Sequence, residues 1–244
     1  MQKNDLPKRE AVFYRKVISS LCDSQVPFMI GGAYALREYA DVSRHTKDLD
    51  IFCLPGDHER LLRILADEGI QTSVVDANWL AKARKNQQYV DIIFNSANNQ
   101  CRVDQAWFDH ARKIEFLGCP THMIPPEELI WTKLYVQDRD RFDGADVMHM
   151  ILRQGPKLDW ERLMHRMDLH WEVLLAHILT FRFVYPSERD CIPQWVQERL
   201  LDRVMNQTSL PAPQDRICRG PLLSRTQYQI DITEWGYEWG FKQS

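Results

Sequence analysis

The sequence predicts an α/β (α+β) fold. A mixed β-sheet with helices packed on it is expected over residues 1–124, and a mainly helical region with an aromatic-rich tail over 125–244. Three observations predict it. In the first half, short apolar runs bounded by turn residues alternate with amphipathic helical stretches. Pro125-Pro126-Glu127-Glu128 then puts proline in a first helical turn and acids at the positive end of the helix dipole. Beyond that point the apolar spacing is helical almost throughout.

Each element has its own signal. Val12, Phe13, Val17, Ile18 and Leu21 recur at helical spacing over 10–22. The apolar run 27–30 reads as a buried strand, ends in Gly31-Gly32, and leads into a helix over 33–39. Asp48-Leu49-Asp50-Ile51-Phe52 alternates polar and apolar residues as a strand does. Pro55-Gly56 is a turn, 59–68 a helix carrying Leu61, Leu62, Ile64 and Leu65, and 72–75 a short strand. Residues 78–84 read as a helical turn, and 88–94 (QYVDIIF) as a strand. Residues 114–117 and 121–124 form strands around Gly118. Helices are expected from Pro125 to 137, then over 142–152, 159–167, 170–185 and 193–205, with a break at Gly155-Pro156. The polar, proline-rich stretch 209–219 reads as a loop, and glycines deny the tail 234–241 a regular element.

The chemistry concentrates between Gly31 and Asp50. Side chains alternate faces along a strand, so Asp48 and Asp50 share one face and repel unless a cation lies between them. Hard carboxylate oxygens at that spacing suit Mg²⁺. Gly31 and Gly32 allow a close approach of backbone to ligand, and the helix start behind them offers N–H groups to a phosphate. Together these point to phosphoryl or nucleotidyl transfer from an NTP. Asp91 is an isolated acid in an apolar strand, which is costly unless it is paired or bound to a cation. Asp104 is its rival in a less strand-like setting. Lys133 falls on the apolar face of its helix, where its stem can pack while its amine reaches water or an anion.

Gly31-Gly32, a gap and Asp48-x-Asp50 resemble the signature of the nucleotidyltransferase superfamily that includes DNA polymerase β. GGAYALREY…TKDLDIF is most similar to small bacterial nucleotidyltransferases, including AbiE-type toxins, over about residues 26–146. The resemblance implies a nucleotidyltransferase core, with Asp48, Asp50 and Asp91 as catalytic, metal-binding carboxylates for two Mg²⁺ ions. It implies nucleotide-binding roles for Gly31, Gly32, Lys133 and Asp143. PEELIWTKLYV resembles the helix that supplies a lysine in the AbiE-like toxins, and Arg139-Asp140-x-x-Asp143 resembles a motif of theirs. Asp143 and Asp146 then orient Lys133 or a substrate group, or form a plain charged helix start. Thr46 and Lys47 flank the acid pair with no role assigned. The implied donor is an NTP such as ATP. The acceptor stays open among small molecules, tRNA ends and protein hydroxyls, with a toxin-like enzyme held by a partner as one form. A catalytically idle nucleotide-binding or protein-interaction module of the same fold is the alternative.

Composition narrows the setting. Net charge is -3 and pI about 6.2, which argues against a generic DNA-binding surface. The six cysteines have no C-x-x-C pair and the eight histidines no metal-ligand spacing. The polar N-terminus and the lack of a long apolar run predict a cytoplasmic protein away from membranes. The aromatics Tyr228, Trp235, Tyr237, Trp239 and Phe241 either pack the tail on the core or stack a base.

Overall fold

The structure is a computed structural model that describes residues 8–43, 46 and 48–240. His45, Lys47 and Phe241 lie outside the described residues. The chain divides into two compact units, Met1–Leu129 and Ile130–Ser244.

The first unit is built on a seven-stranded mixed sheet. Its elements in order are α1 (Lys8–Asp23), β1 (Met29–Ile30), α2 (Gly32–Ala40), β2 (Asp48–Phe52), α3 (His58–Asp67), β3 (Gln71–Asp76), β4 (Leu80–Lys85), β5 (Gln88–Ile93), α4 (Gln105–Asp109), β6 (Arg112–Phe116) and β7 (Cys119–Met123). The strand order is β3-β4-β5-β2-β1-β7-β6. β2 runs parallel to β5 and β1 parallel to β7, while the other neighbours are antiparallel.

The alternation along the central strands decides what each face does. Leu49, Ile51, Val90, Ile92, Ala81 and Ala83 are fully buried in one core with Tyr14, Val17, Ile18 and Leu21 of α1 and Leu61 and Leu65 of α3. The register pairs these residues with one another: Leu49 lies beside Val90, and Ile51 beside Ile92. Truncating a buried isoleucine such as Ile51 to alanine costs about 2–5 kcal/mol. The residues between them, Asp48, Asp50, Lys82 and Asp91, must therefore project from the opposite face.

Residues 78–84, expected as a helical turn, are instead mostly β4. Ala, Lys and Arg favour helix, but the segment is held on both sides by β3 and β5. Its small residues Ala81 and Ala83 fill the core face, and Asn86 at φ 60 turns the chain into β5. The short helix α4 was not expected either.

The second unit begins within α5 (Pro126–Leu134) and continues through α6 (Gly144–Gln154), α7 (Trp160–Arg166), α8 (Trp171–Val184), α9 (Gln194–Thr208), β8 (Ile217–Cys218), α10 (Gln229–Thr233) and β9 (Glu238–Trp239). Val147 and Ile151 of α6, Leu174, Ile178 and Phe181 of α8, and Val196 and Leu200 of α9 are buried. Asp159 caps α7 by accepting a hydrogen bond from the Arg162 N–H at 3.0 Å. β8 and β9 form a short parallel pair in segments expected to be irregular. Two of the tail aromatics lie against arginines, Arg216 being 4.6 Å from the ring centre of Tyr237 and Arg225 4.9 Å from that of Trp239. Among the described residues, no helix is long and apolar enough to cross a membrane. All six cysteines are free thiols.

Candidate active site

Asp48 and Asp50 lie two residues apart on β2, both half-buried. Thr46 steadies the first. Its hydroxyl is 2.9 Å from Asp48 Oδ1 and 3.0 Å from the Asp48 carbonyl oxygen, so its one proton serves either acceptor. Asp91 sits on β5 directly beside Asp50 in the parallel register. Asp104, its rival in the sequence, is the N-cap residue of α4 instead.

The next strand across supplies a residue that sequence reasoning missed. Lys82 on β4 is the register partner of Asp91. Its amine donates to Asp91 Oδ2 at 3.0 Å and stands 2.9 Å from Oδ1. Oδ1 is buried and belongs to the same ion pair. A signal was present: Ala81-Lys82-Ala83-Arg84 alternates with the period of a strand. Burial pushes the Asp91 carboxyl above its ordinary value, the Lys82 ammonium pulls it back, and the charge of Asp48 adds to the rise.

The two glycines are explained by what touches them. Gly31 donates its N–H to the Asp50 carbonyl at 3.0 Å, so that group is spent in the sheet. A Cβ on Gly31 would lie 2.3 Å from the Phe52 ring. Gly32 has φ +55, and a Cβ there would lie 1.6 Å from Asp50 Oδ2. The helical ladder of α2 starts with Ala35 N–H donating to the Gly31 carbonyl, so the N–H groups of Gly32 and Ala33 precede it.

The carboxylate face suits a hard cation by the chemistry of its donor set: Asp48, Asp50 and Asp91 bring carboxylate oxygens to one sheet face. Asp91, however, is engaged by Lys82. Among the described residues no three His, Cys, Asp or Glu side chains stand together as a metal cluster.

The second unit holds a separate ionic cluster. Lys133 is 6% exposed, and its amine donates to Asp143 Oδ2 at 2.9 Å and to Asp146 Oδ2 at 2.7 Å. Arg141 adds a hydrogen bond to Asp143 at 3.2 Å. Burial raises the Asp143 carboxyl, but Lys133 and Arg141 together hold it below the usual carboxylate range. Asp143 and Asp146 thus share the Lys133 ammonium. Asp140 is exposed outside this cluster.

No curated protein matches the sequence. Solved structures similar to the chain include the antibiotic-resistance factor ANT(2'')-Ia, at 16% identity and TM-score 0.46, covering 75% of this chain and 96% of that one. The lincosamide antibiotic adenylyltransferase LnuA matches at 15% identity and TM-score 0.42, covering 60% of this chain and 98% of that one. JHP933 from Helicobacter pylori matches at 15% identity and TM-score 0.43, covering 93% and 99%. A family model described as an uncharacterised nucleotidyltransferase matches residues 15–183, a span that holds both glycines, all three strand carboxylates and Lys133. The chain belongs to that nucleotidyltransferase family.

Proposed function

We propose that the protein transfers a nucleoside monophosphate from an NTP, such as ATP, to a hydroxyl acceptor and releases pyrophosphate. The observation that carries this reading is the register of β2 and β5. It sets Asp91 beside Asp50, with Asp48 on the same face and the Gly31-Gly32 turn against Asp50. Family membership supplies the reaction class.

In this reading Asp91 takes the proton of the acceptor hydroxyl. The acceptor oxygen bonds to the α-phosphorus, and the bond from that phosphorus to pyrophosphate breaks with its electron pair. Burial raises the Asp91 carboxyl and so makes it a stronger base than an exposed aspartate, while the Lys82 ammonium works against that rise. Asp48 and Asp50, with Asp91, would hold Mg²⁺, which when bound stabilises the charge on the attacking and leaving oxygens. Thr46 fixes the Asp48 carboxylate. The N–H groups at the start of α2 face the phosphates. For Lys133 to neutralise phosphate charge, its amine must exchange one of its two carboxylates for a phosphate oxygen.

The acceptor is the open half of the reaction. The narrower likeness to AbiE-type toxins rests on the motifs alone and adds tRNA and protein to the acceptor classes. The idle-module alternative draws on one observation, the hold of Lys82 on Asp91. A single assay separates these readings. The protein is incubated with each NTP radiolabelled at the α-phosphate, Mg²⁺ and cell lysate, beside an Asp48→Asn/Asp50→Asn control. Label that moves with the wild type alone identifies donor and acceptor class. NTP binding with no transfer selects the idle module.

A further inference from the structure

Lys82, Asp91 and Asp50 form one row across β4, β5 and β2, because each is the register partner of the next. Asp48 completes the face. The face therefore carries three carboxylates and one ammonium. The ammonium lies within 3.0 Å of both oxygens of Asp91. Divalent ions use the same oxygens, so a metal that draws on Asp91 meets a positive charge already in place. The Lys82 side chain is 33% exposed against 13% for Asp91, so the lysine can swing out to water while the carboxylate stays.

We infer that Lys82 is a built-in counter-cation that competes with a divalent metal ion for Asp91, so that loading the carboxylate face requires the lysine to let go. This rests on the metal-binding reading of Asp48, Asp50 and Asp91 above. Lys82 is a positioning residue: it acts through Asp91, and no contact with substrate is invoked. The arrangement holds the third carboxylate in its sheet position before metal arrives, and it sets the metal affinity below what three bare carboxylates would give. Two positive charges within several ångströms at a part-buried face repel by about 1.4 kcal/mol or more, which shifts an affinity about tenfold.

The test is titration of the full chain with Mn²⁺ alone, followed by the electron paramagnetic resonance signal of free Mn²⁺. Lys82→Met is expected to bind Mn²⁺ about tenfold more tightly than the wild type. Lys82→Arg keeps the charge and should keep the wild-type affinity. Lys85→Met removes the same charge from an exposed position on the other face of β4 and should change nothing. Adding Asp91→Asn to Lys82→Met should cancel the gain, which places the effect at that carboxylate. Circular dichroism checks that each variant is folded, and Lys82→Gln, which removes the charge and keeps a polar head, carries the test where Lys82→Met is not. Unchanged affinity in Lys82→Met, or a gain that survives Asp91→Asn, overturns the role of Lys82 and leaves the metal site standing. Mn²⁺ binding that is absent from wild type and Lys82→Met alike, or that survives Asp48→Asn/Asp50→Asn, overturns the metal-site reading and the inference with it.

Discussion

The Asp50 carboxylate occupies the space in which a side chain at Gly32 would begin: a Cβ on Gly32 would lie 1.6 Å from Asp50 Oδ2. The glycine is thus a condition for the position of the acid, and the two halves of the motif are one structural unit. Gly32→Ala adds a clash to an unfavourable left-handed backbone, at a cost of about 1–2 kcal/mol. The expected result is a lower thermal midpoint together with loss of nucleotidyl transfer, read by calorimetry and by the radiolabel assay.

Asp48 and Asp50 project from the sheet face opposite the apolar core, so removing their charge leaves that core intact. Asp48→Asn and Asp50→Asn should each lower kcat by about a hundred- to a thousandfold or more, with the thermal midpoint unchanged or raised. A variant that keeps wild-type turnover would remove these residues from the mechanism.

Lys133 balances two buried carboxylates, and losing it leaves both without their shared cation. Lys133→Ala should destabilise the protein by about 3–5 kcal/mol in a denaturant titration. Arg141→Ala, whose side chain is 71% exposed, should cost about 1 kcal/mol or less. If Lys133 served only phosphates, its removal would raise the KM for NTP and leave stability where it was.

Burial disfavours the charged form of His170 and of His177 and lowers both below the usual histidine value of 6.5. The Tyr135 hydroxyl and His170 Nδ1 share a hydrogen bond of 2.8 Å, and His177 Nδ1 donates to the Val173 carbonyl at 2.9 Å. The unfolded chain binds protons at these sites at a higher pH than the folded one. Stability is therefore full above about pH 6.5 and declines as pH falls from there through the folded values. Asp143, whose folded value is depressed, contributes above the ordinary carboxylate range and is lost only at lower pH. Unfolding midpoints taken from about pH 7 down to pH 5 should fall, and His177→Gln should flatten that slope.

The sequence by itself determined the fold class, the strand carrying Asp48 and Asp50, and the family. These are local signals: an alternating pattern, a glycine pair and a helix start are written in neighbouring residues. Asp91 was legible as a lone acid in an apolar strand, because burying a charge demands a partner. What that partner is depends on which strands lie side by side. Only the tertiary structure put β4 next to β5 and so brought Lys82 onto Asp91, since pairing between strands is set by the packing of Ala81 and Ala83 beneath the helices and not by the helix-favouring propensity of their own segment. The same holds for Lys133: its helix face was readable, but the two carboxylates that bury its charge come from α6, and their convergence is a property of packing.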